Sequence, residues 1–173
     1  MKLFFRVLYG LVVLGGLAAL LLIYVRVSKT CITKDKICIV YGHSWKKATA
    51  TSPYDFMITQ TKPTPALFRV AMAKTKIAGS ANALAGALNQ QLAKDAPSYK
   101  LVETNAVVVD KVLAVEVVFD YLPQGATQTV RQDYVVAPLG SDTYYFSAEA
   151  TTTNYAKVKP QFDYLLSHLE IKQ

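Results

Sequence analysis

Gly42-His43-Ser44-Trp45-Lys46 starts like the G-x-S-x-G turn that exposes a nucleophilic serine, but Lys46 stands where the second glycine is needed. Such a nucleophile also requires an acid and a histidine further along the chain. Only His168 follows, near the end of an amphipathic stretch, so a small hydrolase is poorly supported. Glu116 and Asp120 lie four residues apart in an alternating segment and therefore share one strand face. Paired carboxylates do acid–base work when their pKa values are driven apart; on an open sheet face they are simply hydrated, which is the expectation here. The two cysteines, Cys31 and Cys38, and the two histidines, His43 and His168, match no zinc spacing. No phosphate loop, dinucleotide fingerprint, EF-hand or HExxH occurs. The reading is a non-catalytic chain with no catalytic residue, no cofactor and no metal.

Two cysteines with six residues between them and no others fit one small disulfide loop in an oxidising compartment; a pair of free thiols in a cytosolic domain is the alternative. Just before them, Val7 to Val25 is an uncharged apolar run of nineteen residues. As a helix it is roughly 28 Å long, close to the thickness of a bilayer's hydrocarbon core. Tyr9 and Tyr24 sit where aromatic side chains favour the interface, and Arg6 and Arg26 bracket the span. A cleavable signal peptide ends in a small-x-small site; the residues after Ile23 are bulky and basic instead. Residues 7–25 thus read as an uncleaved membrane anchor that contacts lipid. Gly15 and Ala19 form a small-xxx-small step that fits a weak homodimer through the helix.

The net charge of +7 is uneven. Residues 26–76 hold ten basic residues against Asp35 and Asp55, while residues 77–173 hold seven basic and ten acidic ones. The basic excess adjoins the anchor in sequence, where anionic headgroups attract each Lys or Arg by about 1 kcal/mol. No RNA- or DNA-binding motif accompanies it, so nucleic acid is not expected as a partner.

Four segments follow in order: residues 1–6 on the cytoplasmic side, the anchor at 7–25, a polar linker at 26–36 and one folded domain at 37–173. Strands are expected at 37–41, 54–61 and 67–73, then a helix opened by Ser80 and carrying Leu84, Leu88 and Leu92 on one face. A hairpin over 99–109 and 111–122 turns at Asp110-Lys111, with Leu113, Val115, Val117, Phe119 and Tyr121 on one face. Strands at 129–137 and 143–150 form the next pair, and a helix over 154–169 carries Pro160. Consecutive hairpins with two helices imply an α+β domain built on a mostly antiparallel sheet. Trp45 reads as a core anchor at the end of its strand. With Lys46, Lys47 and Tyr145 it also marks a candidate binding surface, and Tyr144, Tyr145 and Tyr155 are candidates for a sticky aromatic patch.

This order, with Ile37-Cys38-Ile39-Val40-Tyr41-Gly42-His43-Ser44-Trp45-Lys46-Lys47 at the start and Tyr155 through Pro160-Gln161-Phe162-Asp163-Tyr164-Leu165-Leu166-Ser167 at the close, resembles the PsbP-like family of α/β/α sandwiches, in its bacterial envelope branch. Tyr134 and Tyr144 also fit its aromatic strand pair. Gly42 departs from the family's usual proline, and an apolar helix takes the place of the lipid anchor common in bacterial members. The resemblance implies a binding or scaffold role: a membrane-anchored extracytoplasmic module that engages a protein or cell-envelope component, or a structural subunit of an envelope complex.

The single-pass, outside-facing topology has a direct check. After reduction of intact cells, an impermeant maleimide is expected to label Cys31 or Cys38, the only cysteines. Labelling that requires lysis places the domain inside.

Overall fold

The computed structural model describes residues 27–32, 37–73, 81–139 and 142–172. The expected anchor at 7–25, its Gly15 and Ala19, and the Ser80 cap lie outside the described residues. Among the described residues, ten strands and two helices run in the order β1 (Val27–Ile32), β2 (Ile37–Gly42), β3 (Lys46–Ala48), β4 (Phe56–Gln60), β5 (Ala66–Ala73), α1 (Ala81–Asp95), β6 (Lys100–Val109), β7 (Val112–Tyr121), β8 (Val130–Leu139), β9 (Asp142–Thr151), α2 (Thr152–Ser167) and β10 (Leu169–Ile171).

Seven strands form one antiparallel sheet in the order β3-β4-β5-β9-β8-β7-β6, and β1-β2-β10 form a smaller one. The β6–β7 hairpin turns at Asp110 and Lys111, as their sequence setting predicts. Both adopt the left-handed conformation (φ 44° and 67°) that matches the twist of a two-residue hairpin. The Asp110 carboxylate accepts the backbone N–H of Ile171, which ties this turn to β10.

Period-two alternation gives the large sheet two apolar faces. Phe56, Ile58, Phe68, Val70, Val118, Val135, Tyr144 and Phe146 point to the side covered by α2, where Tyr155, Val158, Phe162 and Leu165 meet them. Ile37, Ile39, Leu169 and Ile171 of the small sheet close the same core. On the other side Val115, Val117 and Phe119 pack under Leu84, Leu88 and Leu92 of α1. The result is the α/β/α sandwich that the sequence led us to expect, with β7 buried on both faces.

Three elements depart from the expected order. The stretch read as a polar linker holds β1, which gains its place by pairing along the whole of β2. Strand β3 is too short to show a pattern. The last helix stops at Ser167, and Leu169 to Ile171 turn into β10, whose Leu169 and Ile171 are buried. Pro160 falls inside α2 rather than in its first turn. Its missing N–H frees the carbonyl four residues back, on the exposed side of the helix at Ala156.

Phe162 is fully buried and touches both Trp45 and Tyr155, each with ring centroids 6.2 Å away. Truncation to alanine at such a site costs about 3–5 kcal/mol, a large share of a domain's total stability. Phe162→Ala is therefore expected to lower the urea midpoint markedly; an unchanged midpoint contradicts the packing of α2 described above.

Candidate functional site

The two sheet faces carry different polar chemistry. On the α2 side, antiparallel register sets Glu116 of β7 opposite Asn105 of β6, and Asp133 of β8 opposite Val118. Asn105 donates to Glu116 at 2.9 Å. Lys159, projecting from α2, reaches Glu116 Oε1 at 3.2 Å and Asp133 Oδ2 at 3.3 Å, and also pairs with Asp163 one turn along its helix. The Tyr155 hydroxyl donates to Asp133 Oδ2 at 3.3 Å. One pleat away, Arg131 grips Asp120 through two bonds of 2.7 and 2.9 Å and lies over the Tyr155 ring.

Glu116 is thus not on a solvated face: its exposure is 4%, and that of Asp133 is 1%. The sequence pattern placed Glu116 and Asp120 on a common face correctly. It did not show that α2 covers that face. Burial raises the Asp133 carboxyl, and the nearby Glu116 charge adds to it, pushing it up to about 7. Burial opposes the Glu116 charge too, but hydrogen bonds from Asn105 and Asp133 and the Lys159 ammonium outweigh it and hold Glu116 below its usual range. Lys159 is desolvated, yet Asp163, Asp133 and Glu116 hold its pKa above the ordinary value. Asp133 Oδ1 has no donor of its own. These directions favour one proton retained on the pair, on Asp133. Covered by a helix, this cluster clamps α2 to the sheet.

The α1 side is different. Rows across the strands bring together Arg69, Ser147 and Tyr134, and beside them Leu67, Glu149 and Gln132. Arg69 and Glu149 form an ion pair with side-chain exposures of 17% and 19%. Arg69 donates to the Tyr54 hydroxyl at 3.3 Å, with its guanidinium 5.0 Å from that ring's centroid. Tyr121 donates to Glu149 at 3.1 Å, and Gln132 to Ser147 at 2.6 Å. The rings of Tyr134 and Tyr145 meet at 6.2 Å. Burial, reinforced by the Glu149 charge, raises Tyr121; burial also raises Tyr134 and Tyr145. These phenols stay protonated, and the one ion pair is neutral overall. Such a surface can stack and hydrogen-bond but holds no activated nucleophile.

The other candidates are scattered. Trp45 is buried at 5% on the α2 side, while Tyr145 lies on the α1 side of the sheet, and Lys46 and Lys47 are exposed on the edge strand β3. Of the three tyrosines read as a sticky patch, Tyr144 and Tyr155 are core residues, and only Tyr145 reaches the half-exposed face. Tyr134 and Tyr144 project to opposite faces. Cys31 and Cys38 are directly opposite in the β1–β2 register and are joined through sulfur. Gly42 to Lys46 makes a strand–turn–strand passage, whereas a nucleophile elbow needs strand-to-helix geometry. The contact between Ser167 Oγ and His168 Nδ1 (3.0 Å) closes the end of α2, because both groups also meet the Tyr164 carbonyl at 2.9 Å. Among the described residues no three His, Cys, Asp or Glu side chains converge as metal ligands. Two open hollows, of about 350 and 330 Å³, lie beside Trp45 and beside Gln60. Arg69, Glu149, Tyr54 and Tyr121 were not singled out from sequence; the signal was the alternation of Leu67, Arg69 and Ala71 against Phe68 and Val70 in β5.

No protein-family model matches this chain, and no curated protein does either. Solved structures do match. Cyanobacterial PsbP (CyanoP) from Synechocystis sp. PCC 6803 is 12% identical, with a TM-score of 0.63 over 85% of this chain and 93% of that one. LpqN, described as involved in cell envelope biogenesis of Mycobacterium tuberculosis, is 15% identical, with a TM-score of 0.62 over 85% and 92%. The Ran-binding protein Mog1p of Saccharomyces cerevisiae is 7% identical, with a TM-score of 0.59 over 84% and 95%. The chain has the PsbP-like fold.

The shared proton makes stability depend on pH. An unfolded Asp133 loses its proton near pH 4, whereas the folded one keeps it to about 7. Folding therefore takes up a proton in that window, and the contribution of Asp133 falls as pH rises through it. Glu116, lowered in the fold, contributes fully above its unfolded value and loses that contribution only in acid. Asp133→Asn replaces the proton with an amide donor that does not titrate. Between pH 5 and pH 8 the wild-type melting temperature is expected to fall relative to that of Asp133→Asn by on the order of 5 °C. Parallel profiles rule out the shared proton.

Proposed function

We propose that this chain is a membrane-anchored, extracytoplasmic, non-catalytic binding module of the bacterial cell envelope. Its working surface is the α1 side of the sheet around Arg69, Glu149, Tyr54, Tyr121, Tyr134 and Tyr145. One observation carries the reading: this half-exposed surface is aromatic and hydrogen-bonding, its Arg69 and Glu149 charges are already paired, and burial favours the protonated phenols of Tyr121 and Tyr134. Tyrosine suits a recognition surface because it offers a large rigid area with a polar tip at low entropic cost. The opposite face, which holds the buried acids, is closed by α2.

Three further points support the placement. The sequence of residues 7–25 has the length and flanks of a bilayer span. The cysteine pair is bonded, as suits an oxidising compartment. LpqN, of the same fold, is described by its involvement in envelope biogenesis, which favours the envelope branch for this chain.

A photoreactive benzophenone side chain at position 145 of the full-length protein, irradiated in native membranes, is expected to give a discrete adduct. The same group at Lys157, exposed on α2, is expected to give none. Equal adducts from both positions, or none from 145 in protein that reaches the membrane normally, overturn the assignment of the surface.

A further inference from the structure

We propose that the β3 edge of the domain, through Lys46 and Lys47 together with Lys62 of the β4–β5 loop, docks on anionic phospholipid headgroups of the bilayer that holds the anchor. This rests on the anchoring reading above and adds which part of the domain meets the lipid.

The argument begins with chain length. The uncharged run ends at Val25, and β1 starts at Val27. Two residues span at most about 7 Å. Val27 pairs with Gly42, so the far end of β2 lies one strand spacing, about 5 Å, from Val27 and within roughly 12 Å of the point where the chain leaves the lipid. From Gly42 the path is fixed. The Trp45 N–H bonds the Gly42 carbonyl at 3.0 Å, closing a tight turn, and β3 starts at the next residue. Lys46 then pairs with Thr59, and Lys62 is three residues further along the chain. Strand pairing thus holds these lysines at the membrane-proximal end of the domain, about a Debye length from the headgroups in physiological salt.

Charge supplies the second part. Asp55 is the only acidic residue between 37 and 73. It begins the far end of β4, where its carboxylate accepts the Met72 N–H at 2.9 Å. Arg69 and Lys29 are neutralised by Glu149 and Glu170. Lys46, Lys47 and Lys62 are exposed and make no ion pair with a described residue, and His43 is exposed on the same turn. An edge strand bearing lysines is also a common guard against pairing with another chain. That role explains Lys46 and Lys47, but it does not explain Lys62 in a loop.

The chain's single tryptophan is the reporter, since Trp45 lines the hollow beside this turn. The full-length protein is placed in nanodiscs carrying a small fraction of dansyl-labelled lipid. Each lysine near an anionic surface favours the docked state by about fivefold. Energy transfer from Trp45 to dansyl is therefore expected to be stronger in phosphatidylglycerol than in phosphatidylcholine. It is expected to fall by about twofold in the triple variant Lys46→Glu, Lys47→Glu, Lys62→Glu, whose sites are all exposed. The unmodified protein is expected to lose transfer in about 0.5 M salt, which needs no variant. Incorporation with transfer indifferent to lipid charge, salt and substitution overturns the docking surface alone and leaves the edge to a protein partner. Failure to enter nanodiscs at all overturns the anchoring reading, and this proposal with it.

Discussion

A sheet covered on both sides leaves its central strands no wet face, and most of what distinguishes this domain follows from that condition. Strand β7 cannot follow the simple rule of apolar in and polar out. Val115, Val117 and Phe119 are buried under α1, and Ala114 and Val118 are buried toward α2. Any polar residue on such a strand must find partners within the protein, because an unpaired buried charge costs several kcal/mol. Glu116 does so through Asn105 and Lys159, and the neighbouring strand brings Asp133 within reach of the same ammonium. One lysine cannot neutralise two carboxylates, which favours a proton retained on Asp133. The electrostatics of the cluster are thus a consequence of layer architecture.

The same architecture divides labour between the two faces. Toward α2 the polar groups are sealed in and act as a latch on the helix. Toward α1 the register collects an arginine, a glutamate and four tyrosines on a surface that remains part-exposed. Arg69 and Glu149 pair with each other, and burial favours the protonated phenols of Tyr121, Tyr134 and Tyr145, which suits recognition by contact better than acid–base chemistry. The fold by itself does not name a partner, since proteins of this fold include a cyanobacterial PsbP, a protein involved in cell envelope biogenesis and a Ran-binding protein.

Much of the architecture was legible in the sequence where local signals agreed. The Asp110-Lys111 turn, the alternation through β7 and the leucine spacing of α1 each follow from short-range rules, and all three hold. What escaped depended on distant partners. Val27 to Ile32 reads as polar linker because its strand character comes from pairing with β2. Leu169 to Ile171 reads as the end of a helix until β2 captures it. Glu116 reads as hydrated because the sequence does not reveal which faces the helices cover. The α1-side surface was missed for a related reason: Arg69, Glu149 and Tyr121 come from three strands, and only the register brings them together. Trp45 was recognisable as a core residue from its place at a strand end, but its grouping with Tyr145 ignored the thickness of the sheet between them.

Among the described strands β1 pairs with β2 only, on the rim of the small sheet. Traction on the chain ahead of Val27 therefore loads the domain in peeling geometry, opening one rung at a time from Val27–Gly42 toward the hairpin. Four rungs along, the peel meets Cys31–Cys38, a covalent rung that does not open. The disulfide thus acts as a mechanical stop: it limits how much leash the domain can pay out under force, and it hands the remaining pull to Cys38 of β2.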